Sequence, residues 1–166
     1  MSSGHSEHVA EIRWQRAPEE AFTDLRYSRA HQWQFDGGMR IAASSAVSSV
    51  PLPYSKPENV DPEEALVAAV SSCHMLMFLW LAARQGLIVD SYEDHAVGTL
   101  ARNAQNRLAI TQVQLAPRIA FSGARSPTEA QVEQLHHAAH EECYIANSVT
   151  ASISVRGQWH HSVASP

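Results

Sequence analysis

The quartet Ser71, Ser72, Cys73 and His74 interrupts a run of nineteen uncharged residues, Ala65 to Ala83, in a chain with one other cysteine, Cys143. Thiols, hydroxyls and an imidazole are costly guests in an apolar helix. Two kinds of chemistry would employ them. One is redox: a thiolate attacks an electrophile and a second thiol resolves the product as a disulfide. The other is metal binding. His136, His140 and Cys143 fall at i, i+4 and i+7 on one helical face, and Cys73 with His74 would complete a tetrahedral zinc site. Taken singly, each cysteine also fits the role of a small buried hydrophobe.

The surroundings of the two thiols differ. Cys143 stands at the carbonyl end of its helix beside Glu141 and Glu142, which disfavours its thiolate. Burial disfavours the Cys73 thiolate unless a cation reaches it. Arginine keeps its charge in a dry pocket where histidine does not. If a thiol attacks first, Cys73 with an arginine is therefore the better candidate, with Cys143 resolving. The chain has no C-x-x-C or H-E-x-x-H to support a metal, and no G-x-G-x-x-G, G-x-x-x-x-G-K-[ST] or G-x-S-x-G to support nucleotide binding or a serine hydrolase.

Periodicity outlines the elements that must carry these groups. A short strand is expected over residues 9–15. From Tyr27 the chain alternates, placing Tyr27, Arg29, His31, Trp33 and Phe35 on one face. "DGG" at 36–38 supplies a hairpin turn, because glycine accepts positive φ, and a return strand covers residues 39–47. Arg29 on that aromatic face has a plain reading as an edge residue snorkelling to water. Pro51, Pro53 and Pro57 mark an ordered loop. Asp61 caps the long helix, Pro62 takes its first position, Glu63 and Glu64 favour its positive end, and Gly86 closes it. That makes about 24 residues, near 36 Å at 1.5 Å per residue. A helix apolar all round in its middle is expected to be buried on several sides.

Residues 88–102 and 107–121 read as two longer strands joined by a polar turn. Ser126 caps a second helix, with Pro127 first and Glu129 completing a capping box. Val132, Leu135, Ala139 and Cys143 share its inward face. A last strand covers 149–155. The organisation is then a flexible N-terminus at 1–8, one domain over 9–156 and a C-terminal tail at 157–166. The order of strands and helices makes an α+β fold with helices packed on antiparallel sheet.

The bulk numbers agree. A chain of 166 residues, 45% hydrophobic and 17% charged, suits one globular domain with a substantial core. A net charge of −5 and the lack of a basic run give no reason to expect nucleic acid. The uncharged run approaches the length of a membrane span, but its centre carries the polar quartet, so a helix wrapped by protein is favoured. The N-terminus lacks the regions of a secretory signal, and two cysteines are too few for a secreted disulfide scaffold. A cytoplasmic protein whose thiols are free, or form one pair that cycles, is expected.

"DPEEALVAAVSSCHMLMFLWLA" at 61–82 closely resembles the central-helix pattern of the OsmC/Ohr family: an acidic P-E box, an Ala-rich turn, then cysteine. "HEECYIANSV" at 140–149 resembles that family's second cysteine box. The match covers about residues 9–156, and the "SSCHM" form is similar to the OsmC-like branch more than to typical organic hydroperoxide resistance proteins.

The resemblance implies an OsmC-like fold, with antiparallel sheets packed around a long central helix in an intertwined homodimer. It implies a thiol peroxidase acting on organic hydroperoxides, and on hydrogen peroxide as a further substrate. Cys73 matches the peroxidatic cysteine, Cys143 the resolving one and Glu63 the acidic partner, while Arg29 is the best match to the activating arginine. The reductant would be a small dithiol or a lipoylated protein, and no cofactor or metal is implied. There are departures: the loop before the helix has Lys56 and no arginine, and Tyr144 replaces the family's usual proline. Glu63 and Cys73 stand ten positions apart, roughly 15 Å along one helix. The acid must therefore act through an intervening arginine or from a partner's helix. On this reading the quartet is employed: Cys73 attacks, His74 hydrogen-bonds or packs, and Met75, Leu76, Met77, Phe78 and Trp80 either line a route for lipid-like peroxides or pack the core.

Overall fold

The computed structural model describes residues 5–162. The chain divides into two compact units within the span read as one domain, one up to Ala65 and one from Leu66 onward. Residues 1–4 and 163–166, parts of the expected flexible N-terminus and tail, lie outside the described residues.

The first unit is a three-stranded antiparallel sheet of β1 (Ala10–Arg13), β2 (His31–Phe35) and β3 (Arg40–Ala43) in the order β1-β2-β3. The expected hairpin is present. Gly38 has φ of 85° and donates to Phe35 O at 2.9 Å, and Phe35 N donates to Met39 O at 3.0 Å. Both strands are shorter than the alternation suggests. Tyr27 to Ala30 precede β2, because the Arg29 N–H is spent on Tyr54 O at 2.7 Å rather than on a sheet neighbour.

The long helix α1 runs Pro62–Arg84. Asp61 caps it as expected: its Oδ1 accepts from Glu64 N at 2.8 Å, and Glu64 Oε2 accepts in return from Asp61 N at 3.2 Å. The helix ends at Gly86, whose φ of 71° suits glycine.

After α1 the two long strands expected over 88–102 and 107–121 each break into two: β4 (Ile88–Asp94) and β5 (Val97–Arg102), then β6 (Leu108–Leu115) and β7 (Pro117–Ser122). The break has one local cause and one that comes from a distant residue. Pro117 has no N–H and can only begin a strand, while Asp94 Oδ1 takes the Ala116 N–H at 2.7 Å. The halves separate into different sheets, β4-β7-β9 and β5-β6-β8. Here β8 is Ser152–Val155 and β9 is Gln158–Ser162. Residues 158–162, read as tail, therefore form a strand. Moreover β8 and β9 run parallel to β6 and β7, so both sheets are mixed where antiparallel pairing is expected.

The second helix α2 spans Glu129–Glu142. Its cap is Thr128, not Ser126. Thr128 accepts from Gln131 N at 3.3 Å, and Gln131 Oε1 accepts from Thr128 N at 2.9 Å. The Ser126 hydroxyl lies instead against Pro127 O at 3.4 Å, and the helix begins later, where Thr128 and Gln131 meet directly.

α1 lies across both sheets of the second unit. Phe78 and Ala82 pack with Leu87, Ile119, Phe121, Val132, Leu135 and Ala139. Val70 packs with Val113 and Leu115, and Val67 packs against that group. The quartet at 71–74 falls at the seam between these cores. There Ser71 donates to Asp94 Oδ2 at 2.5 Å, so one carboxylate ties the helix to the point where the strands change sheet. Asp94→Ala leaves the Ala116 amide and the Ser71 hydroxyl without their acceptor, and is expected to lower stability by about 1–3 kcal/mol. Urea unfolding midpoints measure this, with Asp94→Asn losing less because one acceptor survives.

By length and composition alone α1 is apolar enough to cross a membrane. Its buried stripe is Val70, His74, Phe78 and Ala82. The expectation of burial on several sides is not met by this chain alone: Leu76 and Trp80 are 63% and 52% exposed.

Candidate active site

Cys73 and Cys143 are brought together. Cys73 is half-buried near the middle of α1, and Cys143 is fully buried as the C-cap of α2. The Cys143 thiol lies near enough to Cys73 for that thiol to influence its ionisation, and its sulfur accepts a hydrogen bond from Ala146 N at 3.3 Å. Burial pushes the Cys143 thiol up to about 11; the neighbouring Cys73 adds to this and the Ala146 amide opposes it. Cys143 is thus held as a thiol away from solvent. Cys73 has access: it lines a cavity of about 580 Å³ with Ala69, Ser72, Leu76, Met77, Trp80, Glu142, Tyr144 and Ile145.

This lining sorts the apolar residues of the helix. Leu76, Met77 and Trp80 border the cavity, whereas Phe78 belongs to the core. Arg84 lies over the Trp80 ring at 4.5 Å. Tyr144 is 76% exposed at the rim.

Arg29 and Glu63 belong to the first unit. Arg29 lies ahead of β2, donating from its guanidinium to Leu25 O at 3.0 Å and to Tyr27 O, with its Cζ 3.6 Å from the Tyr27 ring centroid. Glu63 is half-buried in the first turn of α1.

His74 packs as a buried partner of another histidine. Its Nε2 meets His136 Nδ1 at 3.0 Å, the rings are 12° from parallel, and Phe78 stands 4.5 Å from His136 between centroids. Among the described residues no group of three or more His, Cys, Asp or Glu is placed to hold a metal ion. The zinc set of Cys73, His74, His136, His140 and Cys143 does not assemble among the described residues, and the facing nitrogens of His74 and His136 bond each other.

Burial lowers both imidazoles from 6.5 to about 4; for His74 the charges of His136 and His140 add to this and Asp94 opposes it. The pair is neutral at pH 7, one nitrogen donating and the other accepting. In the unfolded chain these groups take up protons near 6.5, so the unfolded state binds more protons between pH 4 and 6.5 and stability rises with pH there. The contribution is complete above about 6.5 and is lost on acidification to about 4, roughly 3 kcal/mol for His74. Urea unfolding across pH 4 to 8 should show that slope, reduced in His136→Phe.

Sequence reasoning did not find Asp94 or the His74–His136 pair. The signal for the pair was present, because His136 lies two turns before Cys143 on the face that points inward.

The OsmC-like protein family model matches residues 55–156. Comparison with curated proteins gives no match. Among solved structures, an OsmC-like protein of unknown function from Vibrio cholerae is 52% identical, covering 93% of this chain and 100% of that one, with a TM-score of 0.91. An organic hydroperoxide resistance protein from Elizabethkingia anophelis is 13% identical, covering 96% and 99%, with a TM-score of 0.69. One from Bacillus subtilis is 14% identical, covering 93% and 98%, with a TM-score of 0.58. At those identities the last two share the fold.

Proposed function

This chain belongs to the OsmC family, and from that premise we propose that it is a cysteine-based peroxidase that reduces organic hydroperoxides. The observation that carries the reading is the proximity of two free thiols, one lining an apolar cavity and the other fully buried between residues that line it.

Cys73 thiolate attacks the terminal oxygen of ROOH. An S–O bond forms as the O–O bond breaks, the sulfur is oxidised by two electrons, and the alkoxide leaves as the alcohol after taking a proton. Cys143 then attacks the sulfenic sulfur; the S–S bond forms and hydroxide leaves with the Cys143 proton as water. Arg29 stabilises the Cys73 thiolate and the departing alkoxide, and Glu63 orients Arg29. A small dithiol or lipoylated protein of the cytoplasm returns two electrons and two protons. Its hydrogen peroxide activity is the weaker, because an apolar cavity binds an organic group better. A second copy of the chain covers the exposed Leu76 and Trp80 face of α1 and completes the site as a homodimer.

Titration of the reduced protein with cumene hydroperoxide, counting free thiols, tests this. Loss of both thiols per equivalent of peroxide, with faster reaction than hydrogen peroxide gives, is expected. Retention of both thiols would sink the reading.

A further inference from the structure

The chemistry above uses the two cysteines and leaves the imidazole pair between their helices without a task. His74 directly follows Cys73 on α1, and His136 precedes Cys143 by seven residues, two turns along one face of α2. The two side chains meet at 3.0 Å. His74 is 1% exposed, so its nitrogen has no water to replace that partner. His136 is held at its edge by that bond and packs against Phe78, 4.5 Å away between ring centroids. Its far nitrogen, Nε2, is buried against Gly157, where a Cβ would come within 3.1 Å of it.

Around this bond the two helices share an apolar core, in which Phe78 and Ala82 of α1 lie in one buried cluster with Val132, Leu135 and Ala139 of α2. Apolar burial is non-directional, and it resists separation of the helices more than small sliding or rotation. A hydrogen bond between two stiff rings is directional and defines both offsets at the level of Cys73. We propose that the His74–His136 hydrogen bond is a positioning clamp that holds the two cysteine-bearing helices in the register at which Cys143 meets Cys73. It sets the rate of disulfide closure and not the rate of attack on peroxide. His74 and His136 are positioning residues; neither exchanges electrons or protons with the substrate. In the clamped step Cys143 sulfur bonds to the sulfenic sulfur of Cys73, the S–O bond breaks, and water leaves.

The kinetic arm of the test rests on the peroxidase reading. Reduced wild type and His136→Phe, which keeps an aromatic ring against Phe78, are mixed rapidly with cumene hydroperoxide. Peroxide loss and thiol loss are followed separately, and dimedone traps the sulfenate. Peroxide loss should stay within about twofold while closure slows about tenfold, the factor expected for one buried hydrogen bond, and sulfenate accumulates. His136→Asn, which offers a polar group near the position of Nδ1, should restore most of the closure rate. Unchanged closure in folded His136→Phe overturns the clamp. If that variant does not fold, His136→Leu carries the same expectation.

A second arm needs no peroxide. The Cys73–Cys143 disulfide is equilibrated with glutathione redox buffers, and the effective concentration of the two thiols should fall about tenfold in His136→Phe and recover in His136→Asn. Equal values in all three chains would overturn the clamp. Failure of wild type to consume peroxide, with a normal shift in this second arm, would instead overturn only the peroxidase reading.

Discussion

Cys73→Ser is expected to abolish peroxide reduction, lowering turnover at least about a thousandfold, because a serine hydroxyl is no nucleophile toward peroxide oxygen at neutral pH. Cys143 cannot take over. It is fully buried, its thiol is pushed up to about 11, and it is not among the residues that line the cavity. Cys143→Ser should behave differently. The first equivalent of peroxide is still consumed at Cys73, but the sulfenate has no partner thiol and passes to the sulfinic acid with further peroxide. Mass spectrometry of each variant after a stoichiometric and then an excess dose separates the two roles. An unchanged Cys143→Ser chain that still turns over with a dithiol would show that Cys143 is dispensable. A Cys73→Ser chain that retains activity would remove Cys73 from the first step.

The largest stability effect is expected at Phe78→Ala, about 3–5 kcal/mol. Domains of this kind have a total stability of roughly 5–15 kcal/mol, so the loss is a large share. Phe78 is fully buried and contacts the rings of Tyr92, Phe121 and His136, with centroids 5.6, 6.4 and 4.5 Å away. No other side chain of α1 joins sheet, helix α2 and the imidazole pair in this way. Urea or thermal unfolding measures the loss, and the surviving folded chains should also close the disulfide slowly, since the support behind His136 is gone. A change below about 1 kcal/mol would mean that the cavity collapses and the neighbours repack.

Much of this molecule was legible from local chemistry. Asp61, Pro62 and Glu64 announced the start of α1, and Gly86 its end, because caps depend on residues within one turn of each other. The "DGG" turn was equally local. The inward placement of Val132, Leu135, Ala139 and Cys143 followed from the 3.6-residue period. The two cysteine boxes pointed to the family, which the match over most of the second unit shows.

What the sequence by itself determined, then, was where α1 begins and ends, where the hairpin turns, and which family the chain belongs to. Only the tertiary structure decided the rest. The split of two long strands at Asp94 and Pro117 needed the Ala116 amide to find a carboxylate 22 positions away. The parallel addition of β9 turned a polar-looking tail into sheet. Two histidines on α2, His136 and His140, stood at metal-ligand spacing until folding paired His136 with His74, 62 positions earlier. A periodic pattern reports which face of an element is apolar but not which distant group will face it, because contacts between separate elements depend on how whole elements pack and not on the spacing within either one.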